Sequence, residues 1–114
     1  MKVTELICEK LDNPIIFIVK EQKTMDFHLS KEHLLVRKMY REFAENEVKP
    51  LAEELDEEER FPMETVEKMA KLGMMGIYFP KQYGGAGGDV LSYAMCVEEL
   101  AKVCGTTAVI VSAH

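Results

Sequence analysis

Four glycines in five positions, Gly84, Gly85, Gly87 and Gly88, are the residues of this 114-residue chain best suited to close backbone chemistry. A residue without a Cβ lets main-chain amides approach a phosphate or another stretch of backbone. The dinucleotide fingerprint Gly-x-Gly-x-x-Gly nevertheless fails, because counting on from Gly85 and Gly87 the sixth position is Val90. No Gly-Lys followed by Ser or Thr supplies a phosphate loop, and no alternation of strands and helices flanks the glycines to build a nucleotide-binding sheet. The loop reads as a tight connector whose backbone packs or docks, and Asp89 is placed to cap the helix that follows.

Carboxylates are the second candidate for chemistry. Glu53, Glu54, Asp56, Glu57, Glu58 and Glu59 crowd one short stretch, and Glu98 and Glu99 stand side by side. Paired carboxylates can do general acid and base work or hold calcium. The calcium-loop spacing Asp-x-Asp-x-Asp-Gly is absent, and adjacent glutamates on a helix point outward in different directions, so both groups read as solvated or locally paired. Cys8, Cys96 and Cys104 are odd in number and contain no Cys-x-x-Cys, which suggests neither a disulfide framework nor a zinc site and suits a reducing cytoplasm. His28, His33 and His114 are scattered without companion ligands, so no metal site is expected.

The elements that must position these residues follow a helical period from residue 29 onward. Ser30 can cap a helix that carries Val36, Met39 or Tyr40, Phe43, Ala44 and Val48 at spacings of three and four. Pro50 ends that helix or turns it into a new one, along which Leu51, Ala52 and Leu55 continue an apolar edge. Pro62 in a first turn and Gly73 after Leu72 bracket a third helix with Val66, Met69, Ala70 and Leu72 as its buried side. Residues 74–80 are expected to run extended, since Pro80 biases Phe79 away from helix. Val90 to Lys102 make a fourth helix. Thr106 to His114 begin a fifth, apolar nearly all round and so expected to be covered on every side. It shows no stop signal, so a helix cut short is expected.

Length, charge and hydropathy bound the function classes. One small domain fits 114 residues, and 47% hydrophobic with 30% charged residues is a globular composition. A net charge of -6 argues against a nucleic-acid partner. Within residues 1–24, Pro14 to Val19 is the one apolar run. It is too short to span a bilayer, lacks the marks of a signal peptide, and has no second strand to pair with. Residues 1–24 therefore read as a weakly ordered extension, with Met25-Asp26-Phe27 the natural beginning of a domain over residues 25–114. The expected fold is all-α: a small up-down helical domain of about five helices.

Several words of this chain, in order and spacing, resemble the amino-terminal helical domain of the acyl-CoA dehydrogenases, and most closely the short-chain, butyryl-type branch. They are Phe61-Pro62, Leu72-Gly73, Phe79-Pro80, Tyr83-Gly84-Gly85-Ala86-Gly87, Val97-Glu98-Glu99-Leu100-Ala101 and Ala108-Val109-Ile110-Val111-Ser112-Ala113-His114. The resemblance spans about residues 27–114. It implies FAD-dependent α,β-dehydrogenation of an acyl-CoA, in which a glutamate removes the α proton and the β hydride passes to the flavin. In the family that base and nearly all flavin-binding residues lie in later domains, so no catalytic residue is assigned here, and the isolated chain is expected neither to hold FAD nor to turn over.

The same resemblance implies two duties. Ala108, Val109, Ser112 and Ala113 match positions that line the acyl pocket. Val36, Met74, Ala86 and Cys96 match the pocket that receives the electron transfer flavoprotein. Expected partners are acyl-CoA, that flavoprotein and the remaining enzyme domains, with homo-oligomers formed by the full-length enzyme and no nucleic acid or membrane partner. A rival expectation from the residues alone is a stand-alone helical interaction module without catalysis.

Overall fold

The computed structural model describes residues 26–114, so the extension expected over residues 1–24 lies outside the described residues. Among the described residues every regular element is helical. Ser30 starts α1 (Lys31–Phe43), its hydroxyl accepting from the His33 amide. A π-helical turn over Ala44–Val48 then leads directly into α2 (Lys49–Glu58), so the two helices form one continuous rod. Pro50 explains the widened turn. It has no N–H to give to Asn46, and its ring crowds that carbonyl, so the Lys49 amide reaches back five residues to Ala44 instead. Glu59, in the left-handed region at φ 51°, ends α2.

Pro62 is fully buried and its carbonyl takes the amides of Thr65 and Val66, opening α3 (Met63–Lys71) one residue later than a first-turn proline would. The helix ends in a Schellman motif: with Gly73 at φ 75°, the Gly73 amide bonds Ala70 and the Met74 amide bonds Met69. Met69 and Met74, the apolar pair that accompanies such a motif, are both buried. Its buried side is Thr65 and Met69 with Val66 half-buried, whereas Ala70 and Leu72, expected inside, are exposed. Leu72 sits where the chain is already leaving the helix axis.

The extended course expected for residues 74–80 is corrected by the structure. Bonds from the Gly76 amide to Gly73 and from the Phe79 amide to Gly76 fold the stretch into successive turns, and Pro80 at its end is extended, at φ -58° and ψ 145°. A proline restrains the one residue before it and no further. A short 3₁₀ turn, Lys81–Tyr83, then enters the glycine loop. Asp89 caps α4 (Val90–Ala101) by accepting from the Ser92 amide at 2.8 Å, and Cys104 precedes α5 (Gly105–Ala113).

The core gathers Tyr40, Phe43, Ala44 and Val48 from the first rod, Met69 and Met74 from around α3, and Ile77. Cys96 and Leu100 from α4 join them, with Ala108 and Val111 from α5. The helix α4 is the central element, packed against α1 on one side and α5 on the other. On α5 the expected all-round cover is corrected: Thr107, Ala108 and Val111 are buried, while Val109 is 61% exposed. Apolar composition marks where cover is needed, and within these residues α4 supplies it to one face only.

Candidate functional site

The seam between α1 and α4 is the most organised place in the molecule. The two helices run in the same sense. At their starts the ring of His33 accepts or donates at 2.7 Å to Ser30 Oγ through Nδ1 and at 2.7 Å to Asp89 Oδ2 through Nε2, tying one helix cap to the other. Hydrogen bonds from Ser92 first and His33 second hold the Asp89 carboxyl down to about 2. Further along, Glu99 is 2% exposed, so the expectation that it points outward is corrected. Its carboxylate accepts from Arg37 Nε at 2.8 Å, from Arg41 Nε at 3.1 Å and from Lys102 Nζ at 3.0 Å. Bonding from Arg41 above all, with Arg37 and Lys102, holds the Glu99 carboxyl down to about 2, against burial, which pushes it up. Glu98 takes the second arm of Arg37 at 3.1 Å.

This cluster is a clamp and not a general acid or base, because three cations keep Glu99 ionised and leave it no lone pair facing open space. Sequence reasoning missed it, although the signal was present. Arg37 and Arg41 are four apart on one helix, and Glu99 falls within the apolar stripe Met95, Cys96, Leu100 of another.

Of the four positions expected to dock a flavoprotein, Met74 and Cys96 are buried in the core, and Val36 is half-buried and packs against that core. Burial pushes the Cys96 thiol up to about 12, so it is an inert packing group. Ala86 is exposed in the glycine loop, close enough to Gly73 that a methyl built there would come within 3.3 Å of its Cβ. Met74 and Cys96 are thus out of a partner's reach, and Val36 and Ala86 are not. Of the four positions expected to line an acyl pocket, Val109, Ser112 and Ala113 lie open on one face of α5, and Ala108 points into the core beneath them. The Tyr93 hydroxyl donates to the Ser112 carbonyl at 3.1 Å, fixing the end of that face to α4.

The glycine loop does not fit a flavin pyrophosphate. Its five consecutive amides, from Gly84 to Gly88, donate inward to the carbonyls of Lys81, Pro80, Gly76, Phe79 and Ile77 in turn. A Cβ on Gly85 would lie 2.1 Å from the Phe79 carbonyl oxygen, so the close approach that glycine permits is used by the chain on itself. Among the described residues no group of three His, Cys, Asp or Glu could hold a metal ion, and no helix is long and apolar enough to cross a membrane.

Residues 30–114 match the model of the acyl-CoA dehydrogenase amino-terminal domain. The chain belongs to the acyl-CoA dehydrogenase family. It is 72% identical over 90 residues to the short-chain specific acyl-CoA dehydrogenase of Clostridium acetobutylicum, covering 79% of this chain and 24% of that one. Its fold is similar to that of butyryl-CoA dehydrogenase from Megasphaera elsdenii, with a TM-score of 0.71 at 38% identity, over 78% of this chain and 24% of that one. It is also similar, with a TM-score of 0.74 at 43% identity, to a chain solved in work on the electron transferring flavoprotein of Acidaminococcus fermentans, over 78% of this chain and 23% of that one. The chain spans about a quarter of the length of the curated relatives it matches.

Proposed function

We propose that this chain serves as the amino-terminal helical domain of an FAD-dependent dehydrogenase of short-chain acyl-CoA, a cytoplasmic enzyme that forms homo-oligomers and delivers electrons to an electron transfer flavoprotein. The observation that carries the reading is the 72% identity to a short-chain enzyme across the whole helical unit. The inward-bonded glycine loop supports assigning the flavin to the rest of such an enzyme. In this reading the domain contributes two surfaces. Val109, Ser112 and Ala113, with Ala108 beneath them, form one wall of the acyl pocket, where small side chains suit a short acyl chain. Val36 and Ala86 receive an apolar anchor of the flavoprotein, each Å² buried contributing roughly 25 cal/mol.

The test grafts residues 26–114 into the Clostridium acetobutylicum relative in place of its own matched stretch. Butyryl-CoA should bleach the bound flavin of the graft, and electrons should reach both the flavoprotein and a small artificial dye. Ala86→Trp should then slow reduction of the flavoprotein while leaving dye reduction nearly intact. Equal loss with both acceptors, or no loss with either, would remove the docking claim.

The completed α1–α4 seam favours one second reading, a module that folds and acts alone. A monodisperse, cooperatively melting 114-residue chain that binds the flavoprotein unaided would support it, and an aggregating or molten chain would exclude it.

A further inference from the structure

The bond that joins the two helix caps at the head of the α1–α4 seam has a fixed polarity. The Asp89 carboxyl, held down to about 2 by Ser92 and His33, stays ionised near neutral pH and can only accept. At 2.7 Å from Asp89 Oδ2, Nε2 of His33 must therefore be the donor. In the neutral ring Nδ1 then accepts from the Ser30 hydroxyl, whose oxygen takes the His33 amide in return at 3.1 Å. A proton added to the ring leaves the Asp89 bond in place and makes it charge-assisted. The His33 side chain is 23% exposed, covered enough to hold the bond and open enough to exchange protons with solvent.

Both ends of this bond are carried on rigid pieces. Val36 lies one turn beyond His33 on α1, and Ala86 lies three residues before Asp89 in a loop whose amides from Gly84 to Gly88 all bond inward. The first fully buried side chain of α1 is Tyr40, and the Glu99 clamp takes hold only from Arg37 onward. Among the described residues, the His33–Asp89 pair is therefore the side-chain bond that ties the first turn of α1 to the start of α4. Other charges near the ring are already engaged or lie further off. On α1, Lys31 and Glu32 precede it, Arg37 is taken up by Glu98 and Glu99, and the Tyr40 phenol, pushed up to about 12 chiefly by burial, stays neutral. On the loop Lys81 packs over Gly87, and on α4 Glu98 and Glu99 stand more than two turns beyond Asp89.

We propose that His33 is a positioning residue for flavoprotein docking: by bonding Asp89 it sets the spacing between Val36 and Ala86, and it holds that spacing more firmly when its ring is protonated. This rests on the reading of Val36 and Ala86 as the docking surface. The bond is charge-assisted below the range in which an imidazole titrates and neutral above it, so docking tightens on the acid side.

The experiment uses the same graft, with butyryl-CoA as donor and the flavoprotein as acceptor. Near neutral pH, His33→Ala should raise the KM for the flavoprotein about fivefold, the net worth of one hydrogen bond, with kcat kept within about twofold. His33→Gln, whose side-chain amide reaches about as far as Nε2, should restore most of that loss. From about pH 8 to about pH 6 the KM of the native graft should fall about threefold relative to that of His33→Gln, a ratio in which titration of the flavoprotein itself cancels. An unchanged KM in His33→Ala, no rescue by Gln, or parallel pH profiles in the native graft and His33→Gln would overturn the inference. If His33→Ala does not fold, the two pH profiles decide. A graft whose flavin butyryl-CoA does not bleach removes the dehydrogenase reading, one in which Ala86→Trp spares the flavoprotein removes the docking reading, and either takes this inference with it. Where both readings hold and His33→Ala is silent, the inference alone fails.

Discussion

The α1–α4 seam and the α2–α5 seam are built from similar residues and reach opposite ends. Along the first, Glu99 enters the core and finds three cations, the two helix caps are joined through His33, and apolar groups from both helices interlock. Along the second, a cleft of about 900 Å³ stays open, Glu53, Asp56 and Glu59 remain on its rim, and Phe61 and Val109 face solvent. The difference teaches that the chain supplies its own polar and apolar partners along one seam and leaves the other open.

The sharpest way to break this comparison is to remove Glu99. Glu99→Ala removes the buried acceptor of three part-exposed cations, Arg37, Arg41 and Lys102, which then turn to water, and should cost about 2–3 kcal/mol. Circular dichroism under urea would show it. Acid tests the same clamp. The Glu99 carboxyl sits at about 2 in the fold against an ordinary 4.5, so its contribution is complete above pH 4.5 and is lost as pH falls towards 2. The melting temperature of the native chain should therefore drop more steeply over that window than that of Glu99→Gln, and parallel slopes would show that the clamp does not hold the seam.

Next in size is Gly85→Ala. Its new methyl would meet the Phe79 carbonyl at 2.1 Å, so backbone must move, at a cost of about 2 kcal/mol. A melting temperature unchanged by this substitution would mean that the loop is looser than its inward bonds imply. Thr65→Val should act in the opposite direction. Among the described residues the Thr65 hydroxyl is buried without a hydrogen-bond partner, and an isosteric methyl should stabilise by about 1 kcal/mol, raising the melting temperature by about 4–8 °C. Glu57→Gln, on the exposed acidic end of α2, should stay within about 0.5 kcal/mol.

Much of the fold was legible because local signals sufficed. Ser30 and Asp89 cap the helices their positions promised, Gly73 ends α3, and the stripe Tyr40, Phe43, Ala44, Val48 is buried as its spacing requires. What escaped depends on partners distant in sequence. Glu99 is inside because Arg37 and Arg41 lie opposite it, 62 and 58 residues away. The turns before Pro80 depend on Gly73 and Gly76 as much as on the proline. Of the residues expected to act, the exposed set on α5 and Ala86 are placed where a partner could reach them. Met74 and Cys96 are buried in the core, which residue type alone does not distinguish from a position at a surface.

Hydrogen exchange read by mass spectrometry tests the contrast between the two seams most directly. In the 114-residue chain, amides of α1 and α4 should exchange slowest, at the rate of global unfolding, while those of the exposed face of α5 and the end of α2 exchange faster through local opening. Uniform protection across all five helices in the short chain, or α5 amides slower than those of α4, would contradict the division into one closed seam and one open seam.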